Sequence, residues 1–331
     1  MRPVLKPGLE TVWRNRDTVQ IGIDPRRAIA LTGMRGAAGL LRLLDGSRDR
    51  HQVLAAAGDL GMDAAAADRV LTLLAAAGAL DDCPAGGHGV LPAGARARLA
   101  PELATTSLAH RDADGGARTL ARRQTARVRV HGASRAGLWI AGLLSAAGVG
   151  LVLSTGTAAL RLGPPGATTP PPPGRLGTAT GPRSRPRRRP DLVILADSHG
   201  RELPGVLVGH AVPHLAASAS EAIGVVGPLV LPGRSACLRC LDLARTERDP
   251  AWPLILAQLA GQATVDPLAC DTVLATMVAA QAAAQALAFL DKGAGTAGAV
   301  TNGTLELVLP DWQWRRRTWR PHPQCGCQHG T

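Results

Sequence analysis

Two cysteine pairs constrain what this chain can fold into more than any other feature. One is Cys237 and Cys240, inside Pro232-Gly233-Arg234-Ser235-Ala236-Cys237-Leu238-Arg239-Cys240, and the other is Cys325-Gly326-Cys327 near the C-terminus. They hold four of the six cysteines. Two thiolates two or three residues apart are what a tetrahedral structural Zn²⁺ takes from each arm of its site. A metal bridging the pairs ties the end of the chain to its middle, so the fold must bring the tail back there. The competing reading is a thioredoxin-like redox pair at Cys237 and Cys240. Such a pair opens a helix after a strand, whereas the turn Leu231-Pro232-Gly233 precedes Cys237 and a second pair waits downstream. The expectation is a four-cysteine structural zinc site, with His322 as substitute ligand for the C-x-C arm.

At 331 residues and 46% hydrophobic content the chain is long enough for two domains and a sizeable core. It has no Tyr and one Phe, and Lys6 and Lys292 are its only lysines. Abundant Ala, Gly, Arg and Pro reflect a GC-rich genome, so arginine counts alone say little about function. The formal charge of +12 raises nucleic acid or acidic membranes as partners. Its location argues against both: residues 1–82 carry eleven Lys/Arg against ten Asp/Glu, while Arg175, Arg183, Arg185, Arg187, Arg188 and Arg189 crowd one proline-rich segment without an acid. That segment, about 162–190, reads as a disordered, solvated insert. Met1 to Glu10 is polar and proline-broken, unlike a cleavable signal, and paired thiolates suit a reducing compartment; the expected location is the cytoplasm. No charge occurs between Arg135 and Arg161, long enough to span a bilayer, but its glycines divide it into a helix and a strand, and no membrane partner is expected.

Along the chain, residues 11–33 read as three short strands, Thr11–Trp13, Thr18–Ile23 and Ala28–Leu31. Three helices follow: Arg35 to Leu44, a second N-capped by Ser47, and a third from Asp63 that buries Val70, Leu71 and Leu74 and stops at Gly78. This order predicts a small winged-helix-type α+β domain over 1–82. Residues 83–123 read as a linker with one helix near Pro101 to His110. From 124 to the end the pattern is α/β: a strand at Val128–Val130, the loop Gly132-Ala-Ser134-Arg-Ala-Gly137, a helix from Leu138 to Ala147, and strands at Val149–Leu153 and Asp191–Asp197. A glycine loop between strand and helix lets backbone amides approach a phosphate, though alone it is a weak signal. An Ala-rich helix runs from Cys270 to about Leu290, and Leu305–Leu309 reads as a further strand.

Two family resemblances emerge from these residues. Leu40-Leu41-Arg42-Leu43-Leu44-Asp45-Gly46-Ser47 with Ala76-Ala77-Gly78-Ala79-Leu80 resembles the PqqD-like domains that bind leader peptides of ribosomally made natural products, where the peptide is added as a strand beside the sheet. A DNA-binding winged helix is the alternative, and the balanced charge of 1–82 counts against it. The ordered glycine loop, later strand and two cysteine pairs, from about Ala126 to Cys327, resemble the ThiF superfamily, which includes the ubiquitin-activating enzymes. Pro232-Gly233-Arg234-x-x-Cys237-Leu238-Arg239-Cys240-Leu241-Asp242 with His322-Pro323-x-Cys325-Gly326-Cys327 is most similar to members encoded with YcaO enzymes in azole and azoline peptide pathways.

The ThiF resemblance implies a Rossmann-like fold, Mg-ATP, and adenylation of a C-terminal carboxylate. It assigns Gly132 and Gly137 to the outer glycines of the phosphate loop, Asp197 to the family's Asp after the later strand, and Arg201 to the basic position beyond it. This sequence departs from the pattern in three places. Ser134 replaces the central glycine, so a side chain is expected where phosphates would lie. Ser154-Thr155-Gly156-Thr157 stands where the ribose acid belongs. The proline run Pro170–Pro173 and the arginine cluster replace the usual arginine-asparagine stretch. Cys270 reads as a buried small side chain rather than a transfer cysteine. Among His131, His199, His210 and His214 no spacing suggests a second metal.

Trp312, Trp314 and Trp319 with Arg315–Arg317 read as packing against the zinc knob, nucleic-acid stacking being the alternative. The leading functional expectation is a leader-peptide-binding and docking subunit, dimeric, serving a YcaO-type enzyme, with a degenerate nucleotide site. An active adenylyltransferase and a DNA-associated regulator are the alternatives.

Overall fold

Alternating short strands and amphipathic helices build two units in the computed structural model, residues 1–121 and 122–331. The structure describes residues 1–33, 36–83, 93–154, 189–196, 202–260, 269–292 and 298–328. The proposed insert therefore lies almost wholly outside the described residues, as do Asp197, His199 and Arg201.

In the first unit, β1 (Pro3–Leu5) precedes an antiparallel meander of β2 (Thr11–Asn15), β3 (Thr18–Ile21) and β4 (Ile29–Thr32). Val19, Ile21 and Leu31 alternate onto one buried face. Helices α1 (Ala37–Arg42), α2 (Arg50–Asp59) and α3 (Ala64–Ala76) share that core through Leu40, Leu41, Val53, Ala57, Val70, Leu71 and Leu74. Asp63 caps α3 through Ala66 N–H, as expected. Ser47 does not cap α2; Asp49 does, in a reciprocal pair with Gln52, while Ser47 turns back to Asp45. A strand absent from the sequence reading, β5 (Leu80–Asp82), pairs antiparallel with β1.

The stretch 83–123, read as a linker, carries the helix expected near Pro101 to His110 and two further helices that were not expected. Beyond Cys83 the chain forms α4 (Ala93–Arg98), α5 (Ala100–His110) and α6 (Ala117–Thr125). Residues up to Ala121 belong to the first unit, so that unit is longer than 1–82. The reason is a buried lysine. Lys6 Nζ donates to the Ser107 carbonyl at 2.9 Å, to Ser107 Oγ at 2.6 Å and to the Asp112 carbonyl at 2.5 Å, and pairs with Asp81 at 2.9 Å. A lysine this buried needs all its protons satisfied, and Ser107 of α5, the Asp112 carbonyl just beyond it and Asp81 of β5 supply the partners.

The second unit carries one sheet in the order β12-β11-β10-β9-β8-β6-β7. Its strands are β6 (Arg127–His131), β7 (Leu151–Ser154), β8 (Leu192–Ala196), β9 (His214–Ser220), β10 (Ile223–Val230), β11 (Gly303–Val308) and β12 (Trp314–Thr318). From β7 through β9 the neighbours run parallel; β9, β10, β11 and β12 pair antiparallel. Helix α7 (Arg135–Ala146) follows β6, α8 (Glu202–Gly209) lies between β8 and β9, and α9 (Leu238–Thr246), α10 (Trp252–Ala260) and α11 (Thr272–Lys292) lie between β10 and β11. The uncharged stretch after Arg135 divides into α7 and β7, as its glycines suggested. Among the described residues, one helix, α11, is long and apolar enough to cross a membrane. It is a core helix here: Leu274, Val278, Ala282, Ala286 and Phe289 pack with α7 and the sheet. Asp291 near its end receives a two-pronged ion pair from the buried Arg123, both bonds 2.7 Å.

Candidate metal centre and phosphate-facing loop

The metal centre begins with a turn. After β10, Ser235 folds back so that its hydroxyl accepts from Leu231 N–H at 2.7 Å, and Asn302 accepts from Ala236 N–H at 2.7 Å. These bonds set Cys237 as the N-cap of α9, with Cys240 one turn later. The pair therefore does open a helix, and the turn before it does not exclude redox chemistry. What decides against a two-cysteine site is the second pair. Cys325 Sγ lies 3.4 Å from Cys237 Sγ, Cys327 Sγ lies 3.4 Å from Cys240 Sγ, and Cys237 and Cys240 are 3.8 Å apart. All four sulfurs fall within 4.8 Å of one another. A tetrahedral ion with metal–sulfur bonds of about 2.3 Å requires sulfurs about 3.8 Å apart, so the set fits such an ion.

The electrostatics agree. Donating to Cys240, with burial second, holds the Cys237 thiol above its ordinary value. Accepting that proton pulls Cys240 down to about 4. Burial pushes Cys325 up to about 11. Four sulfurs this close cannot all carry charge without a cation among them; with one, all four deprotonate. His322 is not a ligand: its ring Nε2 sits 2.9 Å from Glu247, and its backbone N–H serves Cys240. Trp319 is buried beside the cluster, donates to Thr304 Oγ1 at 3.0 Å, and lies between the guanidiniums of Arg245 and Arg317, 5.5 and 5.0 Å from its ring. The packing account of Trp319 therefore holds. Ser235 and Asp242, which accepts from Trp252 Nε1 at 3.2 Å, lie within the first cysteine stretch, whereas Asn302 carried no sequence signal as a support.

At the far end of the parallel strands, both glycines of the loop have packing reasons. Gly132 has φ 127°, and a Cβ there would sit 1.9 Å from the Ala196 carbonyl oxygen at the end of β8. A Cβ on Gly137 would meet Ala196 Cβ at 3.1 Å. Ser134 does not project toward a ligand, contrary to expectation. It is the buried N-cap of α7, and its hydroxyl accepts from Gly137 N–H at 3.2 Å. One amide at the helix start is thus satisfied internally rather than left for an anion. Arg135, next in sequence, donates to the Cys270 carbonyl at 2.6 Å, joining the starts of α7 and α11. Cys270 is buried, as read. His214 is buried on β9 with Nδ1 against the Val212 carbonyl, far along the strand from the loop.

No family model and no curated protein matches the chain. Solved structures do. E. coli MccB bound to MccA-N7isoASN superposes with a TM-score of 0.67 at 12% identity, covering 100% of both chains. The chain has the MccB fold. E. coli MccB with ATP matches at 0.65 and 12% identity, again over 100% of each chain. The heterocyclase TruD matches at 0.62 and 17% identity, covering 98% of this chain and 42% of TruD. MccB and TruD together fit the resemblance drawn from the cysteine pairs, and the MccB match includes the first unit as well as the sheet unit.

Proposed function

We propose that this protein is a zinc-stapled, ThiF-like subunit of a peptide-modifying system, which captures a precursor or leader peptide through its first unit and docks a YcaO-type enzyme. It works as a homodimer in the cytoplasm, and its nucleotide site is degenerate. One observation carries the reading: a single fold, end to end, joins this chain to MccB, solved with MccA, and to TruD, a heterocyclase more than twice the matched length. The match spans 42% of the length of TruD.

Three features support binding over catalysis. Ser134 takes an amide that a phosphate would need, Gly132 and Gly137 are explained by packing, and no acid stands at Ser154 for a ribose. Asp197 and Arg201, the remaining candidates for Mg²⁺ and triphosphate, lie outside the described residues. The alternative, an active adenylyltransferase, is favoured by the match to MccB bound to ATP. ATP–pyrophosphate exchange separates the two. The full chain, with and without candidate precursor peptide, should show no exchange above background. Robust exchange that disappears in Asp197→Asn overturns the binding reading. Zinc is tested by elemental analysis, with one ion per chain expected.

A further inference from the structure

The last strand of the large sheet offers a second binding surface. β12 ends the strand order, and Arg315 to Thr318 are all exposed. Trp319 N–H donates to the Asn302 carbonyl, so the two-residue alternation of an antiparallel ladder turns the amides of Arg317 and Arg315 inward to β11. Among the described residues no strand pairs beyond β12, and the N–H and C=O groups of Trp314, Arg316 and Thr318 face that edge. The charged residues of β12 itself are all arginines. Arg315 and Arg317 project from one face, their side chains 72% and 49% exposed, and two residues apart means about 7 Å along the strand. Arg316 is fixed on the other face by the Ala299 carbonyl at 2.8 Å and Thr318 Oγ1 at 2.7 Å.

We propose that β12 is a docking edge for an extended acidic segment of another polypeptide, which adds as an eighth strand and places carboxylates at alternate positions against Arg315 and Arg317. The proposal is independent of the nucleotide site and goes beyond the peptide capture assigned to the first unit. Charge and backbone select this occupant. A second copy pairing through the same edge would set arginines against arginines, the usual device by which edge strands resist self-association. A nucleic acid meets the charge but cannot satisfy alternating N–H and C=O groups; Trp319, the ring under Arg317, is buried and Trp314 is half-buried, which leaves Trp312 as the exposed ring beside the strand. Arg315 holds Asp311 at 2.7 Å in an exposed pair of the weak kind, while Arg317 has the half-buried Glu306 at 3.9 Å and the Trp319 ring at 5.0 Å.

The test uses the full chain and a fluorescent peptide of about ten residues alternating Glu and Val, followed by anisotropy. Saturable binding is expected, weakened by about tenfold or more in Arg315→Glu/Arg317→Glu, and lost when alternate probe amides are N-methylated with the charge kept. Arg315→Glu alone, which disturbs only the Asp311 pair, keeps the test readable if the double variant does not fold. Absence of saturable binding overturns the proposal. So does equal binding of the methylated probe, which would mean diffuse attraction. An oligonucleotide of matching charge that binds as tightly, with the same arginine dependence, overturns it in favour of nucleic acid. Self-association abolished by the same variants overturns it in favour of a second copy.

Discussion

Ser134 shows what a single position in a motif does and does not disclose. As a letter in Gly-x-Ser-x-x-Gly it signals damage to a phosphate loop; as a side chain it is a helix cap whose hydroxyl reaches Gly137 N–H and not solvent. The two descriptions are different, and only coordinates supply the second. Ser134→Ala should destabilise the protein by about 1 kcal/mol, lowering Tm by roughly 3 °C in thermal melts. A variant as stable as the parent would deny the cap. At the cysteines the letters were enough, because ligand type and spacing are themselves the chemistry. If the cluster holds the proposed ion, Cys237→Ser should retain less metal than the parent on elemental analysis and lower Tm by more than about 6 °C, the shift expected for roughly 3 kcal/mol in a unit of this size. The exclusion of His322 was not legible, since a histidine near a cysteine pair can ligate or, as here, pair with a carboxylate brought from Glu247.

At the scale of elements, periodic helices and alternating strands were readable, while short strands and composition-masked helices were not. β1 and β5 are three residues each, pair with each other across most of the first unit and are tied further by the Leu5 N–H to Leu44 carbonyl and Asp82 N–H to Ala113 carbonyl bonds. α5 was legible near Pro101 to His110, but α4 was hidden in a Gly-, Pro- and Arg-rich stretch, and nothing in its letters tied that stretch to the first unit through a buried amine and the Asp82 N–H to Ala113 carbonyl bond. Lys6 is the key to it. Lys6→Met would leave Asp81 buried without its counter-ion, and removing one partner of a buried pair typically costs about 3–5 kcal/mol. Chemical denaturation should register that loss, and the double variant Lys6→Met/Asp81→Leu should recover part of it. A single variant within about 0.5 kcal/mol of the parent would mean the network contributes little. β9 and β10 escaped notice for another reason: His214–Ser220 is small and polar at alternate positions, and its partner Ile223–Val230 is interrupted by Gly227-Pro228, so neither reads as a strand until the sheet pairs them.

For the molecule as a whole, the sheet is parallel at one end and antiparallel at the other, and the cysteine centre stitches its antiparallel end. Cys237 and Cys325 are 88 residues apart in sequence, and Cys240 and Cys327 are 87 apart. A cross-link closing a loop of that length restricts the unfolded chain by roughly 4–5 kcal/mol in a chain-entropy account. The apolar core under α11 is continuous without it, so the metal should govern the tail more than the core. Stripping it with a chelator under reducing conditions should therefore expose four further thiols to titration and shift Trp319 emission to the red, since that ring is packed against Ala236, Cys237 and Leu241. Far-ultraviolet circular dichroism should keep most of its helical signal, because α7 and α11 draw their burial from the sheet rather than from the metal knob. Loss of all secondary structure on chelation would place the ion at the foundation of the sheet unit. No change in thiol count would remove the metal from this cluster altogether.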